Sequence, residues 1–209
     1  MSHRTVLTSL NCLLRVAYVR AGPALGAVGL TLCPGKKQSI SVSGTWPRDL
    51  DTDIDALQRW GAAAVVTLMP QHELQAVQAD DMGAACEARG IEWHHLPIQD
   101  VDVPDAAFEI AWLYSGLRLR EHLRAGRNVL LHCRGGLGRS GTIAARLLVE
   151  LGWEAEAAIR AVRAQRPGAI ETHAQEAHVQ STRPMPNNES HTARVLGCLL
   201  GGALGDAFG

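Results

Sequence analysis

Short apolar runs alternate with longer amphipathic stretches over most of this chain. The start is ragged to residue 12. Leu13–Val19 and Val28–Leu32 then have strand character, with Gly22-Pro23 and Pro34-Gly35 as turns. Ala63–Leu68, Ile91–Leu96 and Asn128–His132 are apolar and short enough to be buried parallel strands. Between them lie helical patterns. Ile54–Trp60 predicts a helix with Thr52 or Asp53 as its cap and Gly61 as its stop. Glu73–Arg89 predicts one helix ending at Gly90. Pro104 suits a first helical turn, and Asp105–Arg124 continues to Gly126. Ser140–Leu151 places Ile143, Leu147, Leu148 and Leu151 on one face and closes at Gly152. Trp153–Gln165 and Thr172–Gln180 follow as two further helices. This alternation predicts an α/β fold whose parallel-rich central sheet is flanked by helices on both faces. No internal repeat interrupts it.

Polar positions change the picture in two places. Asp49, Asp51, Asp53 and Asp55 crowd one segment, read as a solvated helix N-terminus favoured by the helix dipole rather than as a metal site. After residue 180 the chain turns polar and carries two prolines, as a linker over 181–192 would. An apolar stretch follows in which Gly197, Gly201 and Gly205 would let another helix approach closely. The expected organisation is an N-terminal extension, partly strand, over 1–27; a folded domain over 28–180; the linker; and the start of a second domain over 193–209.

Composition narrows the function. Hydrophobic residues make up 46% and charged residues 20%, enough to bury a core, which excludes wholesale disorder. With 20 basic and 21 acidic residues the net charge is −1, so neither nucleic acid nor a membrane is an expected partner. Local anion sites remain open. Cys12, Cys33, Cys86, Cys133 and Cys198 are odd in number and scattered, which argues against a disulfide framework or a zinc finger and for the cytoplasm. Arg4, Arg15 and Arg20 break up the N-terminus, so no signal peptide is expected, and no apolar run is long enough to predict a membrane span. His94 and His95 are adjacent in a strand and point to opposite faces, so neither a metal nor a cofactor is expected there. The five tryptophans are read as packing anchors.

Chemistry concentrates in His132-Cys133-Arg134-Gly135-Gly136-Leu137-Gly138-Arg139-Ser140, where a strand feeds a glycine-rich loop and the loop feeds a helix. Successive backbone N–H groups in such a loop form an anion nest, and the helix N-terminus adds partial positive charge. Arg139 offers a planar fork for two phosphate oxygens. Cys133 is expected at the floor of this electropositive cup, with its pKa depressed so that it serves as a thiolate nucleophile. Ser140 is placed to hydrogen-bond the sulfur, and His132 to orient the loop. A dinucleotide site is not expected, because a Cys with a following Arg has no role there.

This string resembles the Cys-x5-Arg-Ser loop of the protein tyrosine and dual-specificity phosphatases. Together with Arg48–Ile54, Val65–Met69, His95–Asp100 and Arg166–Thr172 it is similar to the kinase-associated phosphatase (cyclin-dependent kinase inhibitor 3-like) branch, over roughly residues 28–180. The resemblance implies a phosphatase acting on phosphotyrosine, and on phosphoserine and phosphothreonine in the wider family. Its partners would be phosphorylated proteins and its intermediate a phosphocysteine on Cys133. Arg134, Gly135, Gly136, Leu137, Gly138 and Arg139 would hold the phosphate. Asp100 matches the general-acid position, with Asp102 as the alternative. Gln175 matches a glutamine that positions water, although a solvent-facing helical glutamine fits equally. Arg166 is read as a loop or helix-end support. The tail from Gly197 resembles the opening helix of ADP-ribosylglycohydrolases without their metal ligands, which implies a fusion or a shortened chain. The competing functions are a phosphoprotein-binding module without turnover and the regulatory half of such a fusion.

Overall fold

The computed structural model describes residues 8–9, 11–38 and 46–185. Five strands make the central sheet: β1 (Ala17–Arg20), β2 (Ala27–Thr31), β5 (Ala62–Thr67), β6 (Glu92–His95) and β7 (Asn128–His132). Their spatial order is β1-β2-β7-β5-β6. Only β1 runs antiparallel to its neighbour; β2, β5 and β6 are joined through parallel pairings. A separate two-stranded ladder joins β3 (Lys37–Gln38) to β4 (Trp46–Pro47).

The helices are α1 (Leu50–Trp60), α2 (Gln71–Ala76), α3 (Met82–Glu87), α4 (Ala106–Arg124), α5 (Gly138–Glu150), α6 (Ala155–Gln165) and α7 (His173–Ser181). They cover both faces of the sheet. Adjacent residues of β6 show this directly, because side chains alternate along a strand. The Trp93 ring lies where a Cβ on Gly83 of α3 would fall, whereas the next residue, His94, meets Ser115 of α4 at 3.0 Å. The parallel-rich, doubly covered sheet expected from the alternation is therefore the observed one. Central β7 is buried from Val129 to His132, as an apolar run between two helical layers must be.

Four local expectations differ. The first strand is shorter than the apolar run, because only Ala17–Arg20 pair with β2. The helix expected over 73–89 is two helices. Between them Gln78 takes φ 54°, and the Val77 carbonyl accepts from Lys37 N at 2.8 Å instead of extending a helical ladder. Helix α1 begins earlier than predicted, with Asp49 as its N-cap accepting from Thr52 N at 2.8 Å, and Gly61 ends it at φ 82°. The acidic segment is not simply a solvated helix start: Asp53 is 1% exposed and forms a doubly hydrogen-bonded ion pair with the equally buried Arg48. Asp51 and Asp55, by contrast, are exposed and pair with Arg89.

Ser181 ends α7, and beyond it Met185 N donates to the Glu150 carbonyl at 2.9 Å. The rest of the expected linker and the apolar tail 193–209 lie outside the described residues. Among the described residues, no helix is long and apolar enough to cross a membrane.

Candidate active site

Strand β7 ends on His132, which is fully buried. Its Nε2 lies 2.7 Å from the Thr67 hydroxyl of the neighbouring strand, and that hydroxyl accepts from Trp93 Nε1 at 2.8 Å. Burial pushes the His132 pKa down to about 3, so the imidazole is neutral and holds the strand end without adding charge. The loop then turns sharply. Gly136 takes φ 72° and lies directly against the Thr31 carbonyl, where a Cβ would collide. Arg166 reaches in from the end of α6, its Nε and Nη2 donating to the carbonyls of Gly136 at 3.1 Å and Gly135 at 2.9 Å. With those carbonyls held, the Gly136 N–H donates to Cys133 Sγ at 3.3 Å. Ser140 Oγ lies 3.4 Å from the same sulfur. Cys133 is 4% exposed, at the floor of a cleft of about 270 Å³.

Cys133 has no rival in the two other buried thiols. Burial pushes Cys33 and Cys86 up to about 12, which keeps both protonated.

Arg139, in the first turn of α5, is 2% exposed. Its two terminal nitrogens meet the Glu73 carboxylate side-on at 2.8 and 3.0 Å. Nη1 also donates to the Ile98 carbonyl at 3.1 Å, and Nη2 lies 2.9 Å from Asp100 Oδ1. Burial works against the guanidinium's charge, but the Glu73 hydrogen bonds and the nearby Cys133 and Asp100 outweigh it and raise its pKa. Glu73 is a site residue that sequence reasoning missed. Inside an apparent single helix it carried no signal, and the break after α2 is what separates its short helix from α3.

The loop before α4 places the two candidate aspartates differently. Asp100 is 69% exposed and lines the cleft. Asp102 Oδ1 instead accepts from the adjacent Val103 N at 2.8 Å, and Asp102 is not among the cleft residues. Between them Val101 holds φ 58°, costly for a β-branched side chain. Gln175 is fully buried, so the solvent-facing alternative does not hold. Its Oε1 accepts from Glu171 N at 2.9 Å and its Nε2 donates to the Asp102 carbonyl at 3.2 Å, which ties α7 to the acid loop. Val101, Arg134, Gly135, Leu137, Lys36 and Glu171 complete the cleft lining. Lys36 and Glu171 were assigned no role in the sequence. Gly138 faces Glu171 and Gln175 so closely that a Cβ would meet them. The histidine pair separates as expected: His94 faces Ser115, and His95 Nε2 lies 2.8 Å from the Met69 carbonyl.

A mostly parallel sheet that delivers a Cys-x5-Arg-Ser loop onto a helix N-terminus defines the class of cysteine-dependent protein tyrosine and dual-specificity phosphatases. Comparison with known proteins narrows this. Residues 43–179 match the family PTP-SAK, described as Swiss Army Knife protein, DSP-PTPase phosphatase domain, and the chain belongs to that family. Among curated relatives, protein tyrosine phosphatase type IVA 3 of Mus musculus is 28% identical over 155 residues, 72% of this chain and 83% of that protein. Cyclin-dependent kinase inhibitor 3 of Homo sapiens is 33% identical over 128 residues, 60% of this chain and 59% of that protein, so the match spans little more than half of that relative. Among solved structures, kinase associated phosphatase with its catalytic-site cysteine replaced by serine aligns with a TM-score of 0.68 at 27% identity, covering 79% of this chain and 92% of that one. Tk-PTP in its active form aligns at 0.56 and 30% identity, covering 78% and 94%.

Proposed function

We propose that this domain is a protein phosphatase that hydrolyses phosphotyrosine, with phosphoserine and phosphothreonine as the wider substrate class. The observation that carries the reading is the cup itself: Cys133 sulfur with the Gly136 N–H and the Ser140 hydroxyl on it, beside a guanidinium clamped by Glu73. The kinase-associated and tyrosine phosphatase relatives support a phosphoprotein substrate. In the first step Cys133 Sγ bonds to phosphorus while the bond from phosphorus to the ester oxygen breaks. Asp100 gives the leaving oxygen its proton. Arg139 and the loop amides stabilise charge on the equatorial oxygens. In the second step Asp100 takes a proton from water as the water oxygen attacks phosphorus. The S–P bond breaks, the Ser140 hydroxyl supports the departing sulfur, and inorganic phosphate is released. Gln175 acts as a positioning residue that holds the acid loop. The cytoplasm is the proposed compartment, supported by Cys12, Cys33, Cys86 and Cys133 all being free thiols.

The test is hydrolysis of phosphotyrosyl peptides in reductant, with the acid assignment examined alongside. Asp100→Asn is expected to lower kcat about 100-fold on a phosphotyrosyl peptide, within the range for general acid catalysis. The loss should be much smaller on aryl esters whose phenols leave without protonation. Asp102→Asn should stay within about twofold, because its carboxylate serves only the local turn. The reverse ranking would transfer the role to Asp102.

Arg166 donates to the Gly135 and Gly136 carbonyls of the loop, so its effect should run through loop geometry. Arg166→Met is expected to reduce kcat about tenfold with little change in KM, and Arg166→Lys to recover part of it. An unchanged kcat for Arg166→Met in steady-state assays would remove it from the supporting shell.

A further inference from the structure

Over residues 106–117 helix α4 carries one charged side chain, Glu109, and Arg146 donates to both oxygens of that carboxylate. Phe108 and Trp112 are buried on its inner face. Its outer face is apolar as well. Ile110 is 72% exposed, Leu113 67% and Tyr114 66%, and Leu117 is partly buried in line with them. Those three are half of the six large apolar side chains that stand exposed among the described residues. The neighbouring helices differ: α1 turns Asp51, Asp55 and Gln58 to solvent, and α6 turns Glu156 and Arg160. A helix segment that is apolar all round belongs in an interior, and this one has solvent on one side.

Spacing, area and charge point to what covers that face. Ile110, Leu113, Tyr114 and Leu117 recur at i, i+3, i+4 and i+7, the seam of one helix against another. The set is nearly unchanged when turned end for end. In an antiparallel pair Ile110 meets Leu117, and Leu113 meets Tyr114. A face that complements its own reverse is what a two-fold contact requires. An aromatic side chain offers about 150–250 Å² and a leucine or isoleucine somewhat less, so at these exposures the three leave about 350 Å² per copy. That already lies in the range of the largest apolar patch on an ordinary monomer. With Leu117 and the flanking exposed alanines 106, 107 and 111, two copies would bury about 1,000 Å², the lower limit for a specific interface and the size of a reversible contact. The chain's net charge of −1 sets up no long-range repulsion between copies.

We propose that the outer face of α4 is a self-association surface, through which two copies of this chain pair antiparallel about a two-fold axis between Leu113 and Tyr114. None of the four seam residues lines the cleft of Cys133, so the pairing sits beside the site and not within it. The proposal stands apart from the phosphatase reading and does not need it.

The experiment is sedimentation equilibrium of the full chain in reductant, from about 1 to 200 µM. Wild type should rise from one copy towards two, with a Kd of about 10 µM, as an interface of this size allows. Ile110→Glu and Leu113→Glu should each weaken the association by about 30-fold or more, since each would bury a charge at the seam. Both positions face solvent in the single copy, so the melting temperature of dilute protein should hold. Turnover of p-nitrophenyl phosphate per chain should stay within about twofold in both variants, because neither touches the cleft. Leu113→Cys should form a disulfide-linked dimer under mild oxidation. Leu13→Cys, 64% exposed on another part of the chain, should add nothing to the wild-type level. That comparison still decides the matter if a glutamate variant fails to fold. Leu199→Asp, in the apolar stretch outside the described residues, should leave the association unchanged. A wild type that stays monomeric throughout would overturn the proposal. So would association that persists in Leu113→Glu but is lost in Leu199→Asp.

Discussion

Cys133→Ser is expected to remove turnover of aryl phosphates and phosphopeptides by roughly 10⁴-fold or more, the scale seen when a nucleophile is deleted from a site that acts as a unit. A serine hydroxyl is a far poorer nucleophile than a thiol at neutral pH, and the described residues of the cup place no general base beside position 133 to activate it. The substitution is nearly isosteric. Its oxygen can still accept from the Gly136 N–H and face the Ser140 hydroxyl, which now lie 3.3 and 3.4 Å from the sulfur. The variant should therefore keep its melting temperature and still bind phosphopeptide, as read by calorimetry. Loss of turnover with retained binding separates catalysis from a role in phosphoprotein capture. Wild-type turnover by the serine variant would point to another nucleophile. Neither Cys33 nor Cys86 is a candidate, since both are buried thiols pushed up to about 12.

Arg139→Lys is the second large effect, expected at about 10³-fold in kcat, the scale for losing an arginine or a preorganised donor at a developing oxyanion. Lysine keeps the charge but loses the fork. The Glu73 carboxylate is held side-on at 2.8 and 3.0 Å, and an ammonium cannot reproduce that pairing while also reaching Ile98 and Asp100. Glu73→Gln should show the same coupling from the other side. That substitution replaces one of the two acceptors with a donor and lets the guanidinium swing, for a loss of about tenfold. Combining the two substitutions should cost less than the product of the single losses, because both act on one orientation. Additive losses would place Glu73 outside the site's machinery. Thermal melts belong beside these assays, because breaking a buried ion pair from one side costs about 3–5 kcal/mol.

The sheet, its parallel character and the phosphate loop were legible in the chain because their signals are local. Apolar runs between amphipathic stretches mark β5, β6 and β7, and Gly61, Gly90, Gly126 and Gly152 end helices or turns in the left-handed conformation that glycine adopts at little cost. The loop from His132 to Ser140 is contiguous, so the groups that surround the sulfur are neighbours in sequence before they are neighbours in space. Ser140 against Cys133 needs only one strand, one turn and the start of a helix.

Glu73, Lys36, Glu171 and the roles of Asp53 and Gln175 depend on segments meeting across the sheet. Glu73 reaches Arg139 across 66 positions, and Lys36 reaches the Arg134 carbonyl across 98. Periodicity even hid the first of these: the pattern over 73–89 is helical throughout, yet it divides where Gln78 takes φ 54° and Lys37 N claims the Val77 carbonyl. Asp53 looked like one of four solvated acids until Arg48 and Gly35 closed around it. The different surroundings of Asp100, beside Arg139, and of Asp102, on the Val103 N–H, likewise appear only once the loop is folded. Residue type and spacing thus marked the candidate nucleophile, its glycine-rich loop and the layered fold. Tertiary structure alone decided which acids and bases surround them, because a side chain's charge partner is set by strand register and loop packing, which single-chain periodicity does not encode.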